Sequence, residues 1–146
     1  MSEIKTPGSP ETQPSPEPPA PNVWPALRAS DAHGLIKFLT EALGFKATVV
    51  YADGDTVQHA ELAWPPGGGV MLGSARPDAP HPASGPGTLS AYAVTGDPDA
   101  LHARAVAYGA KVVQDLYDTD YGSREFAVED PEGNCWTFGT YPGAPR

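Results

Sequence analysis

One cysteine, two methionines and nine basic residues in a chain of 146 rule out several common ways of working. The lone Cys135 has no partner for an internal disulfide, which suits a reducing cytoplasm. Lys and Arg total 9 against 18 Asp and Glu, a net charge of −9. Nucleic acid is thereby excluded as a partner, because phosphates need a basic stripe and none is visible. No apolar run approaches the roughly 20 residues needed to span a bilayer. The opening M-S-E-I-K-T-P lacks the basic and apolar regions of a secretory signal, so a cytoplasmic location is expected. G-x-S-x-G and H-E-x-x-H are missing too, as is a phosphate-cradling loop; Gly67-Gly68-Gly69 has no following helix and reads as a hairpin turn.

Proline is abundant and unevenly spread. Residues 1–21 form a Pro-, Ser- and Glu-rich tail with almost nothing to bury, in which Pro16 and Pro19 make a weak P-x-x-P spacing. A second Pro/Gly/Ala-rich stretch, residues 75–87, reads as a linker. It divides the folded part, residues 22–146, into module one at 22–74 and module two at 88–141.

The two modules repeat one pattern. D-A-H-G-L-I-K-F-L-T-E-A-L-G-F-K-A begins at Asp31, and D-P-D-A-L-H-A-R-A-V-A-Y-G-A-K-V begins at Asp97. In each, an aspartate caps an amphipathic helix that closes on Gly44 or Gly109 and runs into a strand. Leu35, Phe38, Leu39, Ala42 and Leu43 mark the first apolar stripe; Leu101, Ala105 and Tyr108 mark the second. Strands are expected at 23–29, 46–51, 56–64 and 69–73, then at 88–94, 111–117, 124–129 and 135–140. Asp53-Gly54-Asp55 and Asp130-Pro131-Glu132-Gly133-Asn134 are turns. The fold class is therefore α+β: two βαβββ modules forming a curved mixed sheet around a central cavity, with helices on its outer face.

D-x-x-x-L-x-x-F…L-G-F, followed by D-P-E-G-N, resembles the glyoxalase, bleomycin-resistance and extradiol-dioxygenase superfamily, the vicinal oxygen chelate proteins. H-A-E-L at His59, V-M-L-G-S at Val70 and E-D-P-E-G-N-C-W-T-F-G-T-Y at Glu129 resemble one compact branch of it. The resemblance implies a homodimer. It also implies, for metal-using members, one ligand from the first and one from the last strand of each module. Those positions fall on Trp24, on Leu89 (Ser90 if a bulge shifts register), on Thr137, and within Met71 to Ser74. None is a good donor to a divalent ion.

Binding without chemistry is the expectation that results. The chain should be a metal-free small-molecule binding protein, of the drug- or antibiotic-sequestering, bleomycin-resistance kind, needing no cofactor and having no catalytic residue. The alternative is a metal-dependent glyoxalase, lyase or dioxygenase with displaced ligands, built on His59 and Glu61 with Asp118, Asp120 or His33; a third is a scaffold for protein recognition. Trp24, Ala26 and Arg28 on one strand face and Thr137 on another are expected to line the cavity, with His59, Tyr121 and Arg124. Trp136 and Phe138 should turn to the core, Cys135 should be a packed thiol, and Trp64 should lie at a rim or dimer contact. The acidic, aromatic stretch Asp115 to Tyr121 reads as a solvated loop or as a lid over a flat cationic ligand, whereas Arg124 would anchor an anionic one.

Overall fold

A computed structural model describes residues 19–77 and 85–146. Pro16 of the P-x-x-P spacing and His81 of the linker lie outside the described residues. Module one runs β1 (Ala26–Ala29), α1 (Ala32–Glu41), β2 (Lys46–Asp53), β3 (Thr56–Ala63) and β4 (Gly69–Ser74). Module two runs β5 (Ser90–Val94), α2 (Pro98–Tyr108), β6 (Lys111–Asp118), β7 (Arg124–Glu129) and β8 (Cys135–Gly139). The architecture is α+β with two βαβββ modules, as the repeat predicts. Each module forms its own four-stranded mixed sheet, ordered β1-β4-β3-β2 and β5-β8-β7-β6.

Local chemistry sets these elements. The Asp31 carboxylate accepts from Gly34 N at 3.0 Å and Asp97 accepts from Ala100 N at 3.0 Å, so both helices carry the expected cap. Gly109 ends α2 in the left-handed conformation, φ 99°, which suits a residue without a Cβ. The whole apolar stripe of α1 is buried. In α2 only Pro98 and Ala105 are buried, while Tyr108 remains 40 % exposed.

Strand alternation gives each sheet one packed face. Leu27, Ala29, Ala60, Leu62, Val70 and Leu72 turn inward in module one; Phe126, Val128, Trp136 and Phe138 do so in module two. The inward faces and helices share one core. Phe45 packs on Trp64 and Trp136 with ring centroids 4.9 and 5.4 Å away, and Trp64 meets Phe138 at 5.4 Å. The Trp64 indole also donates to Val94 O at 2.8 Å, so this residue belongs to the seam between modules and not to an outer rim.

Polar bonds hold the same seam. Glu132, in the turn between β7 and β8, accepts from Ser30 N at 2.7 Å and Asp31 N at 2.9 Å. Arg104 of α2 donates to the last carbonyls of α1, Glu41 O at 3.0 Å and Thr40 O at 3.1 Å. The Glu132 turn is rigid because buried Asp130 accepts four bonds: from Glu132 N, Asn134 N, Asn134 Nδ2 and Trp136 Nε1, all within 3.0 Å. Asn134 Oδ1 in turn accepts from Leu89 N at 2.9 Å, fixing the entry to β5.

Replacing Asp130 with alanine orphans several buried donors and should cost about 3 kcal/mol in urea unfolding. Glu132→Ala removes only the exposed clamp and should cost about 1 kcal/mol. Equal costs for the two would refute this ranking.

Candidate functional site

The sheet faces opposite the core stay open, and they carry the polar and aromatic side chains. In module one the register sets Ala26 beside Met71 and Arg28 beside Gly73, with Glu61 beside Met71 on the other side. Gly73 leaves the space that Arg28 crosses: a Cβ there would lie 3.0 Å from Arg28 Nη1. His59 and Glu61 point to the same face and pair at 2.8 Å (Nε2 to Oε2), with Tyr51 stacked on the imidazole at 6.5 Å.

Trp24 stands before this strand. β1 begins at Ala26, later than expected, and the Trp24 indole before it donates backward to Pro21 O at 3.0 Å. The ring lies on Gly69, where a Cβ would come within 2.9 Å of it. Trp24 therefore marks the end of the open face near Trp64, not its middle. There it lines a groove of about 460 Å³ with Pro21, Lys46, Thr48, Glu61 and Trp64. Trp64 also borders a second groove, of about 440 Å³, with Pro25, Phe45, Val70, Ala91 and Trp136.

Module two opens a different face. Tyr92, Thr137 and Ala127 lie side by side across β5, β8 and β7, and the next row brings Glu125 beside Gly139. Glu125 is 6 % exposed although its face looks to solvent. Its Oε2 accepts from the Tyr121 hydroxyl at 3.0 Å, and the Tyr92 hydroxyl donates to Tyr141 O at 2.9 Å. Gly139 makes the space, since a Cβ there would lie 2.5 Å from Tyr92 Oη and 2.7 Å from Glu125 Cγ. Burial pushes the Tyr92 phenol above its ordinary pKa, and the Glu125 charge adds to the rise. The hydrogen bond to Glu125 is the main cause of a similar rise at Tyr121.

The expected site residues thus divide. Trp24, Ala26, Arg28 and His59 share the module-one face, while Thr137 and Tyr121 belong to module two. Arg124 belongs to neither face. It alternates with Glu125 and points toward α2, held by Asp99 at 2.7 Å and Asp118 at 3.1 Å, which raise its already high pKa. Strand parity turns Arg124, expected to anchor a ligand, away from the face that carries Glu125 and Thr137. Leu89 packs against the core, leaving Ser90 beside Cys135 on the open face. Cys135 itself is half-buried on that face and is not packed in the core. Of the acidic stretch, Asp118 is tied to Arg124 and Asp115 to His102 at 2.9 Å. Glu125 is the site residue that the sequence reading missed.

A divalent metal does not fit this donor set. The inner strands present Ala26, Arg28, Met71, Gly73, Tyr92 and Thr137, and among the described residues no three His, Cys, Asp or Glu side chains converge. Among the described residues the His59–Glu61 pair gains no third donor from Asp118, Asp120 or His33: His33 bonds to Gly54 O at 2.9 Å, and Asp118 is held by Arg124.

Comparison with known proteins matches residues 23–138 to the Glyoxalase/Bleomycin resistance protein/Dioxygenase superfamily. TioX from Micromonospora sp. ML1 has a similar structure, with 30% identity, TM-score 0.68, and coverage of 78% of this chain and 93% of its own. A glyoxalase/bleomycin resistance protein from Streptomyces sp. CB03234 is similar at 23% identity and TM-score 0.63, covering 77% and 94%. TnmS3, an antibiotic binding protein from the same organism, is similar at 23% identity and TM-score 0.62, covering 77% and 88%. At 23% these two likenesses speak for the fold. No curated protein matches the sequence. Among the described residues no helix is long and apolar enough to cross a membrane.

The Tyr121–Glu125 bond has a spectroscopic consequence. Two of the six tyrosines, Tyr92 and Tyr121, should form tyrosinate above the ordinary value of about 10. Their folded pKa exceeds the unfolded one, so this stabilisation is complete below about pH 10 and is lost as pH rises through the folded values. Glu125→Gln should move Tyr121 back down in an ultraviolet titration; an unchanged curve would disprove the bond.

Proposed function

Because the chain belongs to the glyoxalase/bleomycin resistance protein/dioxygenase superfamily, we propose that it is a metal-free binding protein that sequesters a drug- or antibiotic-like small molecule. One observation carries the reading. The sheet faces that stay open hold aromatic rings, apolar grooves and single polar groups, where a metal enzyme of this fold would need a converging donor set. Such a surface can desolvate a flat organic molecule and orient it with a few hydrogen bonds, with no nucleophile or metal to attack it.

The mechanism is stoichiometric burial. Trp24 and Trp64 give ring area at one end of the module-one face, with Arg28 and the His59–Glu61 pair at polar positions along it. A second copy of the chain would convert the open faces into closed cavities, and the protein therefore acts as a homodimer in the cytoplasm. Exposed Tyr51 on β2, 63 % accessible, and Val113 on β6, 47 %, lie on edge strands suited to that contact. The antibiotic-binding description of TnmS3, a protein of similar fold, supports a binding role.

A panel of aromatic antibiotics assayed by thermal shift tests the proposal. A ligand at about one hundred times its Kd should stabilise by about 2.7 kcal/mol, raising Tm by about 8 °C. The compound should be recovered unchanged, chelator should leave the shift intact, and Trp24→Ala should weaken binding about tenfold. A transformed product, or a stoichiometric metal whose removal abolishes the shift, would favour the lyase or dioxygenase reading instead.

A further inference from the structure

Glu125 is a largely buried carboxylate with no cation beside it among the described residues. Its Oε2 accepts from the Tyr121 phenol, the Tyr92 phenol lies beside it, and among the described residues no Lys, Arg or His pairs with it. The nearby Tyr92 hydroxyl spends its proton on Tyr141 O. The second carboxylate oxygen, Oε1, makes no hydrogen bond of its own and is not sealed from solvent, so it can accept a cation. The surroundings are suited to a ligand supplying one. Tyr92, Tyr121 and Tyr141 are 43 %, 62 % and 45 % exposed, so their rings face solvent around the carboxylate. Tyr121 and Tyr141 meet edge to face at 6.0 Å, a corner of two walls. Tyr117 pairs with Glu125 across β6 and β7 and is 42 % exposed. Gly139 keeps the floor open, since any Cβ would collide with both Tyr92 and Glu125.

We propose that Glu125, walled by Tyr92, Tyr117, Tyr121 and Tyr141 on the open face of module two, is a subsite for the protonated amine or quaternary ammonium of the bound compound. This rests on the small-molecule binding reading and names the ligand class: an organic cation with an aromatic or other apolar body. Ring faces attract a cation through their quadrupoles, and the largely buried carboxylate neutralises its charge. The net charge of −9 steers the same class of ligand toward the protein.

Three planar fluorescent probes test it on the full chain: ethidium (cationic), 1-anilinonaphthalene-8-sulfonate (anionic) and Nile red (neutral). The wild-type protein should bind ethidium in preference to the anion, and added salt should weaken ethidium alone. Glu125→Gln keeps the shape and an acceptor for Tyr121, and should weaken ethidium about tenfold while sparing Nile red. Tyr92→Leu, which removes a ring without touching the charge, should weaken ethidium about threefold and supplies the test if Glu125→Gln does not fold. Nile red binding with no preference for ethidium, or ethidium binding insensitive to both variants, would overturn the subsite and leave the binding reading standing. Failure of all three probes would overturn both. A Glu125→Gln protein that loses self-association and keeps ethidium affinity would show that a second copy supplies the counter-charge, which also overturns the subsite.

Discussion

Neither module can bury both faces of its sheet, so everything depends on how the packed faces are locked together. α1 is the element on which that lock closes. Module two grips it at both ends, with the Glu132 carboxylate on the backbone N–H groups before its first turn and the Arg104 guanidinium on carbonyls of its last. The signs suit the helix, whose N-terminal end attracts negative charge and whose C-terminal end attracts positive charge. Between these grips runs the aromatic seam of Phe45, Trp64, Trp136 and Phe138. With α1 fixed this way, the core sides of both sheets are committed to each other. The remaining two faces have no internal partner and stay open.

Much of this was legible in the sequence because it is local. Capping aspartates, the terminal glycines and period-two strands depend on neighbours a few residues away, and they place every element to within about three residues. The D-P-E-G-N-C-W string is legible for a stronger reason. Asp130 gathers three of its own successors, Gly133 turns at φ 100°, and Glu132 and Asn134 reach out to module one and Leu89. A short motif that spends nearly every side chain on fixed partners leaves a recognisable trace.

The site was less legible because its errors are one-residue errors. In a strand, a shift of one residue turns a side chain to the opposite face. Leu89 and Ser90 differ by that single step, and a bond from Leu89 N to the Asn134 side-chain oxygen decides between them. Arg124 and Glu125 differ by the same step. Parity carried across the turn resolves that pair: Glu129 opposes Cys135, so Ala127 opposes Thr137 and Glu125 opposes Gly139. Glu125 therefore shares the Thr137 face, and Arg124 does not. The position of Trp24 was beyond such counting, because it lies before β1, where its indole bonds to Pro21 and strand pairing has not begun.

The duplication itself explains why the two faces differ in charge while their frames agree. Each module has a glycine followed by a hydroxyl residue at the end of its last strand or just past it, Gly73-Ser74 and Gly139-Thr140. The hydroxyls do the same work, Ser74 Oγ accepting from Val57 N at 2.8 Å and Thr140 Oγ1 from Arg124 N at 3.1 Å, each near the start of the module's third strand. The glycines also do the same work, clearing room for a large side chain to lie across the open face. In module one the side chain beside the glycine is the Arg28 guanidinium; in module two it is the Glu125 carboxylate with Tyr92. Scaffold chemistry has been held constant between the repeats, and the charge set into the cleared space has been inverted. The two open faces therefore present opposite signs on one repeated frame.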